Sequence, residues 1–478
     1  MQVRSMLLAT AVFAAAGMWG AGCGSGQTTF FGDGGTDGSV DDGSQTDTSF
    51  NFGDVSAEGA PQCVNLECQV DPCGTTSISG TVYDPAGRNP LYNVYVYVPN
   101  APVLPIPTGA VCTACQAPAS GSPLPGAVQT DSLGHFKVTT APSGTNIPLV
   151  MQAGKFRKQI IIPSVTACQD NPIGKKDSNN LETITRLPRK QNEGGNGVDN
   201  IPQIAMATGG CDVLECLMRK IGIADTEFSG TGRVHLFQGQ GGVSGPGSTD
   251  AYAFWANKTK LLQHDIVINS CECSPYDRNS AGQAYTAMHD YVDGGGRLFG
   301  THYHYNWFAP PTGPTDYQGT ANWLTGVSGY GPPWYINTTI PKGVALDEWI
   351  QNVWKSNSPP TKGQINLSYA AGDVSQIKGK TTPWIYYGNA SLGSNAYDTA
   401  YLSFNTPISQ TLQCGRAVFS DLHVSNGGGG GSFPAECGSG DPLTTAMTQQ
   451  ETALEFLFFD LSSCVGDDSK PPPPPPPN

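Results

Sequence analysis

The stretch Tyr291–Phe308, YVDGGGRLFGTHYHYNWF, is the strongest indication of the fold in this sequence. Its three glycines, Gly294–Gly296, can adopt the positive φ angles that end a helix. The mostly apolar run Arg297–Thr301 then fits a short central strand, and histidine and aromatic side chains follow it at once. In an open α/β sheet the ligand crevice forms just past the carboxyl ends of the strands. We therefore expect any functional site to lie here.

Strand and helix patterns alternate on both sides of this stretch. From residue 201, the apolar runs IPQIAMATGG, RVHLFQGQGG and HDIVINSCEC are separated by amphipathic segments, which predicts a parallel sheet covered on both faces. Residues 309–413 break the pattern, being rich in Gly, Pro, Asn, Trp and Tyr, and we interpret them as a long insertion over the crevice. The pattern resumes with GRAVFSDLHV and a closing helix, so the α/β domain is predicted over residues 201–308 and 414–465.

Composition and charge exclude some classes of partner. The chain has 478 residues, enough for two or three domains, and a formal net charge of −14. An acidic chain lacks the basic surface that nucleic acid requires, so no nucleic-acid partner is expected. The same charge argues against electrostatic docking on anionic lipid headgroups.

The amino terminus predicts export. Arg4 precedes the apolar run Met6–Ala16, which is too short to span a membrane and is typical of a secretory signal over residues 1–22. GAGC, ending at Cys23, resembles a bacterial lipobox, and this resemblance implies lipidation of Cys23 and an anchor at the outer membrane or cell surface. The alternative is ordinary cleavage that leaves a free cysteine. Residues 23–62 are predicted to be a disordered tether, and residues 466–478 a polyproline tail.

Cysteine usage agrees with export. Of 14 cysteines, thirteen remain once Cys23 is set aside, and in an exported chain disulfides are the expected use. Residues 63–76 are interpreted as a cysteine-rich collar before the next domain. For closely spaced cysteines in this chain we favour disulfide bonds over metal binding. The expected pairs are Cys216–Cys271, Cys211–Cys273 and Cys414–Cys437, and Cys112 and Cys115 are further disulfide candidates.

Residues 77–165 carry alternating strand patterns separated by turn residues. They resemble the carboxypeptidase regulatory-like domain, a small immunoglobulin-like β-sandwich, and the resemblance implies a structural role. The matching residues are Ile78, Gly80, Val82, Asp84, Gly87, Thr130, Asp131, Gly134, Phe136 and Gly144. The polar residues 166–200 are interpreted as a linker.

The second domain resembles the glutamine-amidotransferase-like superfamily, in particular its trehalose-utilisation-like branch. HDIVINS, YVDGGG, RLFGTH and GRAVFSDLHV carry the resemblance, which implies a flavodoxin-like three-layer α/β fold with a long insertion. Catalytic members place a cysteine nucleophile at the centre of a G-x-C-x-G elbow. The elbow here is Gly300–His304, with His302 at the nucleophile position and no second glycine, so covalent amide chemistry is not expected.

The histidines after the predicted strand Arg297–Thr301 suggest a metal site. His302 and His304 are two apart, which would place them on one side of an extended segment, and Asp421 and His423 repeat that spacing. Three imidazoles and a carboxylate could hold zinc or a similar divalent ion with an open position for water, with Glu272 as a candidate base. The alternative is that these side chains hydrogen-bond one another and loop carbonyl groups.

Aromatic residues crowd the same region and have two interpretations. Together with the polar groups they could form a ligand pocket for sugar rings, or they could pack the insertion onto the sheet, which we favour. They are Tyr303, Tyr305, Trp307, Trp323 and Trp334.

The order of modules is similar to that of a family of lipid-anchored, two-domain surface proteins of soil bacteria. SGTVYDPAG, NPLYNVYVYVPN, LECLMRKIGI and GGGRLFGTHYHYNWF carry this resemblance. Some members are labelled tryptophan synthase alpha chain, which the predicted export, sandwich and disulfides do not support. The leading hypothesis is a non-catalytic surface protein that binds carbohydrate or another envelope component, and the alternative is a metal-dependent hydrolase.

Overall fold

The computed structural model describes residues 63–112, 118–278, 283–324, 333–368, 370–388, 399–424 and 431–473. The predicted signal peptide with Cys23, the tether before residue 63, Cys115 and the last five residues of the tail lie outside this part of the chain.

Two small β-sheets form the first part of the described chain. Their strands are β1 (Ser77–Thr81), β2 (Tyr95–Tyr97), β3 (Val128–Gln129), β4 (His135–Thr139), β5 (Gly144–Ala153), β6 (Phe156–Val165) and β7 (Asp170–Pro172). The sheet orders are β4-β1-β7 and β3-β2-β5-β6, and apolar side chains of both sheets belong to one buried cluster. The segment 166–200, expected to be a linker, contributes β7, which pairs in parallel with β1.

A large mixed sheet follows. The remaining strands are β8 (Ile204–Thr208), β9 (Val234–Gln238), β10 (Thr249–Asp250), β11 (Ile266–Asn269), β12 (Arg297–Thr301), β13 (Ala321–Trp323), β14 (Trp334–Ile336), β15 (Gln364–Ile365), β16 (Val374–Ile377), β17 (Thr382–Tyr387), β18 (Thr399–Thr406) and β19 (Gly415–Ser420). Ten of them form the order β10-β9-β8-β11-β12-β19-β18-β17-β14-β15, and β13 pairs with β16 in a separate ribbon. Neighbouring strands from β10 to β19 are parallel, and those from β19 to β15 are antiparallel.

Helices cover both faces of this sheet. Alternate side chains along a strand point to opposite faces, so one strand can contribute to the core on each side. In β8, Ile204 and Met206 join one buried cluster while Ala205 joins the other. Helices α1, α5 and α6 pack into the first cluster, and α2, α3 and α4 into the second. The α-helices are α1 (Leu214–Ile221), α2 (Ala251–Trp255), α3 (Lys258–Leu261), α4 (Ala284–Asp293), α5 (Pro341–Trp354) and α6 (Gln449–Ser462). Five 3-10 helices span Asn65–Gln69, Asp225–Glu227, His302–Trp307, Asp316–Thr320 and Ala435–Cys437.

The described parts of the insertion 309–413 extend the large sheet. Its strands β14, β15, β17 and β18 continue the sheet beyond β19, and α5 packs against them. Residues 370–373 do reach the crevice, where the Ala371 N–H donates to the carbonyl oxygen of Asp421 (3.0 Å). The insertion therefore contributes both sheet edge and one wall of the site.

The small sheets and the large sheet share one core. The ring of Phe156 in β6 contacts Phe458 and Phe459 of α6, and Tyr92 stacks on Phe456 of the same helix. Helix α6 starts at a capping box in which Thr448 and Glu451 satisfy each other's backbone N–H groups. Its many phenylalanines are thus held against two sheets at once.

Five disulfides link the described cysteines: Cys63–Cys68, Cys73–Cys168, Cys112–Cys414, Cys211–Cys273 and Cys216–Cys437. The expected Cys211–Cys273 pair is present, but the expected Cys216–Cys271 and Cys414–Cys437 pairs are wrong. Cys437, in the 3-10 helix Ala435–Cys437, lies next to Cys216 of α1 (Cα–Cα 5.2 Å), a pairing that spacing along the chain cannot predict. Cys271 is a buried free cysteine.

These crosslinks indicate an extracellular or otherwise oxidising environment. Within the described ranges, no helix combines the length and apolar composition needed to cross a membrane.

Candidate metal centre

Four adjacent parallel strands each place one polar residue at the same edge of the sheet. Asp212 follows β8, Cys271 follows β11, His302 follows β12 and His423 follows β19. The strand order reverses next to β8, since β9 lies on one side of it and β11 on the other. Such a reversal opens a crevice at the carboxyl ends of the strands. All four side chains are buried there.

The backbone at His302 turns sharply as it leaves β12. Its φ is +40°, a left-handed conformation that is costly for a residue with a Cβ atom. This turn starts a 3-10 helix, His302–Trp307, and directs the imidazole toward the ends of the neighbouring strands. The sequence-predicted elbow therefore exists as a backbone feature, with histidine at its apex.

A continuous set of short contacts joins the four side chains. The Nδ1 of His423 lies 3.1 Å from Asp212 Oδ1, and its Nε2 lies 3.1 Å from Nδ1 of His302. The same His302 nitrogen lies 3.6 Å from Sγ of Cys271. The sulfur and the two imidazole nitrogens all lie within 4.8 Å of one another. A sulfur and two nitrogens thus converge on one point.

A carboxylate lies behind each imidazole, but only that of Asp212, behind His423, is within hydrogen-bonding distance; the outer nitrogen of His302 has no hydrogen-bond partner among the described residues. Asp212 also accepts from the Thr301 hydroxyl (2.7 Å) and the Val424 N–H (3.0 Å), which fixes its orientation. On the other side, Asp373 Oδ2 lies 3.6 Å from Nε2 of His302. The position of Asp373 is set by its own N–H, which donates to Asp421 (2.9 Å). Each histidine therefore has one ring nitrogen toward a carboxylate and the other toward the shared point.

Close approach of two loops makes this arrangement possible. Gly209 follows β8, and a Cβ atom there would overlap the carbonyl oxygens of Ser270 and Cys271. Glycine thus lets the segment bearing Asp212 lie against the segment bearing Cys271.

Burial dominates the electrostatics. It raises the pKa of the Cys271 thiol to about 12, helped by the Asp212 charge. Burial lowers the pKa of His302 to about 4, and neighbouring His423 adds to this effect. Burial also lowers the pKa of His423, but the attraction and hydrogen bond of Asp212 outweigh it and leave a raised value. Without a cation, Cys271 is a neutral thiol and a weak nucleophile.

His304, predicted to act beside His302, does not join this cluster. Its Nε2 lies 2.8 Å from the Ser270 carbonyl oxygen, while its Nδ1 accepts from Arg278 (3.1 Å) and Trp307 (2.9 Å). The prediction assumed an extended segment, in which residues two apart share a side. In a 3-10 helix with three residues per turn, they point in different directions.

Asp421, predicted as a fourth ligand, is also separate from the cluster. It is fully buried and accepts the backbone N–H of Asp373, so it orients the carboxylate behind His302.

Glu272, the predicted base, belongs to another network. It is buried and forms an ion pair with Arg278 (2.8 Å) while accepting from the Gln240 N–H (2.8 Å) and the Tyr252 hydroxyl (3.2 Å). Arg278 in turn donates to His304. This network positions the loop after β11, with no direct bond from Glu272 to the histidine pair.

The aromatic residues mostly pack inward. Tyr305, Trp307 and Trp334 are buried in the hydrophobic clusters, and Trp323 stacks on Phe308. Tyr303 is half-buried, and its ring stacks on His302 with centroids 3.8 Å apart. Tyr303 therefore lies directly against the cluster of Cys271, His302 and His423.

Sequence reasoning missed three members of the site. Cys271 was assigned to a disulfide, although an odd number of cysteines already required one to remain unpaired. Asp212 follows the first strand of the sheet, so the strand order could have indicated it. Asp373 comes from the insertion, whose path carries no such signal.

Comparison with known proteins shows distant likeness to solved structures. One is a ThuA-like protein from Bacteroides uniformis, at 12% identity over 54% of this chain and 91% of that chain, with a TM-score of 0.28. Another is Gan42B, a GH42 beta-galactosidase, at 10% identity over 49% and 29% of the two chains, with a TM-score of 0.21. Scores this low carry no argument about function. No protein-family model and no curated protein matches the chain.

Proposed function

We propose that this protein holds a divalent metal ion, with zinc as the best fit, through Cys271, His302 and His423. The observation that carries the proposal is the convergence of one sulfur and two imidazole nitrogens at the edge of the parallel strands. This donor set suits zinc, which takes thiolate and imidazole ligands in tetrahedral geometry.

The spacing of the donor atoms fits that geometry. Zinc bond lengths of about 2.0–2.1 Å to nitrogen and 2.3 Å to sulfur imply about 3.3 Å between two nitrogens and about 3.6 Å between nitrogen and sulfur. The separations are 3.1 Å for His302 Nδ1 to His423 Nε2 and 3.6 Å for His302 Nδ1 to Cys271 Sγ. Small movements would admit the ion.

The carboxylates behind the histidines support the same proposal. Metal-binding histidines commonly donate their second ring N–H to a carboxylate, which fixes the tautomer and raises the basicity of the ligand. Asp212 makes this hydrogen bond to His423 Nδ1 (3.1 Å), and Asp373 lies 3.6 Å from Nε2 of His302, just beyond hydrogen-bonding distance. A simple hydrogen-bonded histidine pair would not require a carboxylate at both ends.

Three protein ligands would leave a fourth position for water. Zinc-bound water is a nucleophile near neutral pH, so the reaction class that this centre would support is hydrolysis at a carbonyl centre. Without turnover, the same centre would serve a non-catalytic surface protein that binds carbohydrate or another envelope component.

Export and anchoring complete the proposal. The lipobox-like GAGC sequence supports a lipid anchor on Cys23 at the outer membrane or cell surface. We also propose that the small sheets form an immunoglobulin-like, carboxypeptidase regulatory-like module. The α/β part is proposed to be a flavodoxin-like, glutamine-amidotransferase-like domain, because β9-β8-β11-β12-β19 follows the 2-1-3-4-5 strand order of flavodoxin.

Metal content tests the centre. We expect about one equivalent of zinc per chain in protein purified without chelators. Cys271→Ser and His423→Asn should abolish stoichiometric binding, and Asp212→Asn should weaken it by about 10- to 100-fold, because it removes only the carboxylate behind His423. Elemental analysis and competition with a chromogenic chelator measure both effects.

His289→Asn is the matched control. His289 lies with Asp293 and Asp316 in a second, more exposed group of possible ligands. Retained zinc in this variant locates the ion at the cluster of Cys271; zinc lost only in this variant would refute the proposal. Release of nitrophenol from nitrophenyl esters, abolished by Cys271→Ser, would identify a hydrolase, whereas bound zinc without turnover would favour the non-catalytic binding protein.

A further inference from the structure

A second cavity lies at the opposite edge of the parallel strands. Its volume is about 550 Å³, and its walls include Ile266 and Arg297, the first residues of β11 and β12. Tyr95 and Gln129 of the small sheets face it from the other side. Because Cys271 and His302 follow the far ends of these strands, this cavity is separate from the metal centre.

The lining suits the body of an organic molecule. Small-molecule sites usually measure about 300–1,000 Å³ and are mostly apolar with a few polar groups. The cavity falls in this range, and its apolar lining includes Leu104, Pro105, Ile106, Pro107, Val111 and Pro202.

Two buried arginines supply positive charge to the same cavity. Arg157 donates to the carbonyl oxygens of Leu104 (2.7 Å) and Val198 (3.2 Å). Arg297 donates to those of Gly295 (3.0 Å), Cys414 (2.7 Å) and Ser463 (3.3 Å), while its Nε is buried without a hydrogen-bond partner. Both guanidinium groups belong to residues more than nine-tenths buried.

Neither guanidinium forms an ion pair within the described ranges, and the carboxylates that attract them, Asp199 for Arg157 and Asp265 for Arg297, act at longer range. Lys155, the third cation in the lining, is ion-paired with Asp265. Arg157 and Arg297 bond only carbonyl oxygens within the described ranges, and a carbonyl satisfies the N–H group without cancelling the charge. Burying a charge without an adjacent charge of opposite sign is unfavourable, so an incoming anion would be stabilised there. The positive charge of this cavity contrasts with the net charge of the whole chain, which is −14.

The cavity wall is held in place. The Cys112–Cys414 disulfide fastens the segment after Val111 to the start of β19. Lys155 donates to the carbonyl oxygens of Pro107 (3.0 Å) and Gly109 (2.8 Å), and the Ala110 N–H donates to that of Leu262 (3.0 Å). A preformed wall lowers the entropy lost on binding.

We propose that this cavity binds an amphipathic organic anion, a carboxylate or sulfonate with an apolar body. The acidic group pairs with the guanidinium of Arg157 or Arg297, and the apolar body lies against Leu104, Ile106 and the neighbouring prolines. This site is independent of the metal centre.

Two fluorescent probes of matched shape test the site on the full chain. Anilinonaphthalene sulfonate carries the anionic group, and phenylnaphthylamine has the same aromatic body without charge. We expect one sulfonate-probe site per chain, weakened about tenfold or more by Arg157→Gln and by Arg297→Gln, with binding of the neutral probe retained. Lauric acid should displace the sulfonate probe, and lauryl alcohol should do so less well.

Arg88→Gln is the matched control. Arg88 also donates to carbonyl oxygens, those of Pro442, Leu443 and Thr445, but lies in a different cavity. Equal effects of Arg88→Gln and Arg297→Gln, or equal losses for both probes in the glutamine variants, would overturn the proposal. If the glutamine variants fail to fold, Ile106→Trp decides instead: it fills the cavity, so unchanged probe binding in this variant would refute the site and weakened binding would support it.

Discussion

At the residue scale, His302 links the backbone of the sheet to the chemistry of the site. It has the φ of +40° that a tight strand-to-helix turn demands, although an imidazole, unlike glycine, meets steric resistance there. A left-handed conformation costs about 1–2 kcal/mol for a residue with a Cβ atom. At this position the imidazole faces both Cys271 and His423.

Two substitutions at this position separate backbone strain from metal binding. In chelator-treated protein, His302→Gly should be more stable than His302→Ala by about 1 kcal/mol, because glycine adopts the positive φ without steric cost. Both variants should lose zinc equally. Urea unfolding followed by circular dichroism measures the difference, and an alanine variant as stable as the glycine variant would show that the turn carries no strain.

His304 shows where sequence reasoning at this scale was wrong. The expectation that His302 and His304 share one side required an extended chain after β12. Hydrogen bonds of the 3-10 helix and a buried arginine, Arg278, instead direct His304 to the Ser270 carbonyl oxygen. The sequence alone does not predict that Arg278 contacts His304.

At the element scale, helix α6 joins the small sheets through a buried pair of carboxyl groups. Glu455 of α6 and Asp84 of the turn after β1 are both fully buried, and Asn89 donates to Glu455 (2.6 Å). Burial raises the pKa of Glu455 well above its ordinary value, and the neighbouring Asp84 charge and hydrogen bond raise it further. The raised pKa favours a protonated Glu455 carboxyl beside Asp84.

This pair predicts a pH dependence of stability. A pKa raised by folding contributes stability that is complete below the unfolded pKa of about 4.3 and is lost as pH rises through the folded value. Glu455→Gln mimics the protonated carboxyl and has no proton to lose. Between pH 5 and pH 8 the free energy of unfolding of this variant should therefore fall less steeply than that of the wild type. The difference between the two slopes should be up to about 1.4 kcal/mol per pH unit.

Urea unfolding at several pH values tests this expectation. Glu67→Gln, a change at an exposed carboxyl group in the first 3-10 helix, is the control and should keep the wild-type slope. A Glu455→Gln slope equal to that of the wild type would contradict a protonated Glu455 carboxyl in the folded protein.

Elements with a strong local pattern were predictable. β12 occupies Arg297–Thr301 as predicted, and α4 ends just before Gly294. Both boundaries could be predicted because glycines and a following apolar run are local signals. The insertion was harder, since its short strands lack a long apolar pattern and gain order by pairing with β19 and with one another.

At the scale of the whole molecule, pairing over long distances sets both the fold and the site. The last residues of the described chain return to the core, where Asp468 forms ion pairs with Lys342 of α5 (2.9 Å) and Arg416 of β19 (2.8 Å). All three side chains are buried. This buried network fastens the insertion, the sheet and the chain end together, although the sequence suggested only an exposed tail.

The cluster proposed to bind metal has the same origin. Cys271, His302 and His423 are far apart in the sequence, and they meet because β11, β12 and β19 are neighbours whose carboxyl ends share one edge. The edge and two of its histidines could be predicted from strand patterns. The thiol ligand could not, because disulfide connectivity decides which cysteine stays free, and spacing does not determine connectivity.

Zinc K-edge X-ray absorption on the purified chain tests whether Cys271, His302 and His423 hold the ion. We expect a first shell with one sulfur at about 2.3 Å and two imidazole nitrogens at about 2.0–2.1 Å. Substituting Cys271 by serine should remove the sulfur from that shell. A shell of oxygen and nitrogen atoms alone in the unmodified chain, or a sulfur signal that survives Cys271→Ser, would contradict this ligand set.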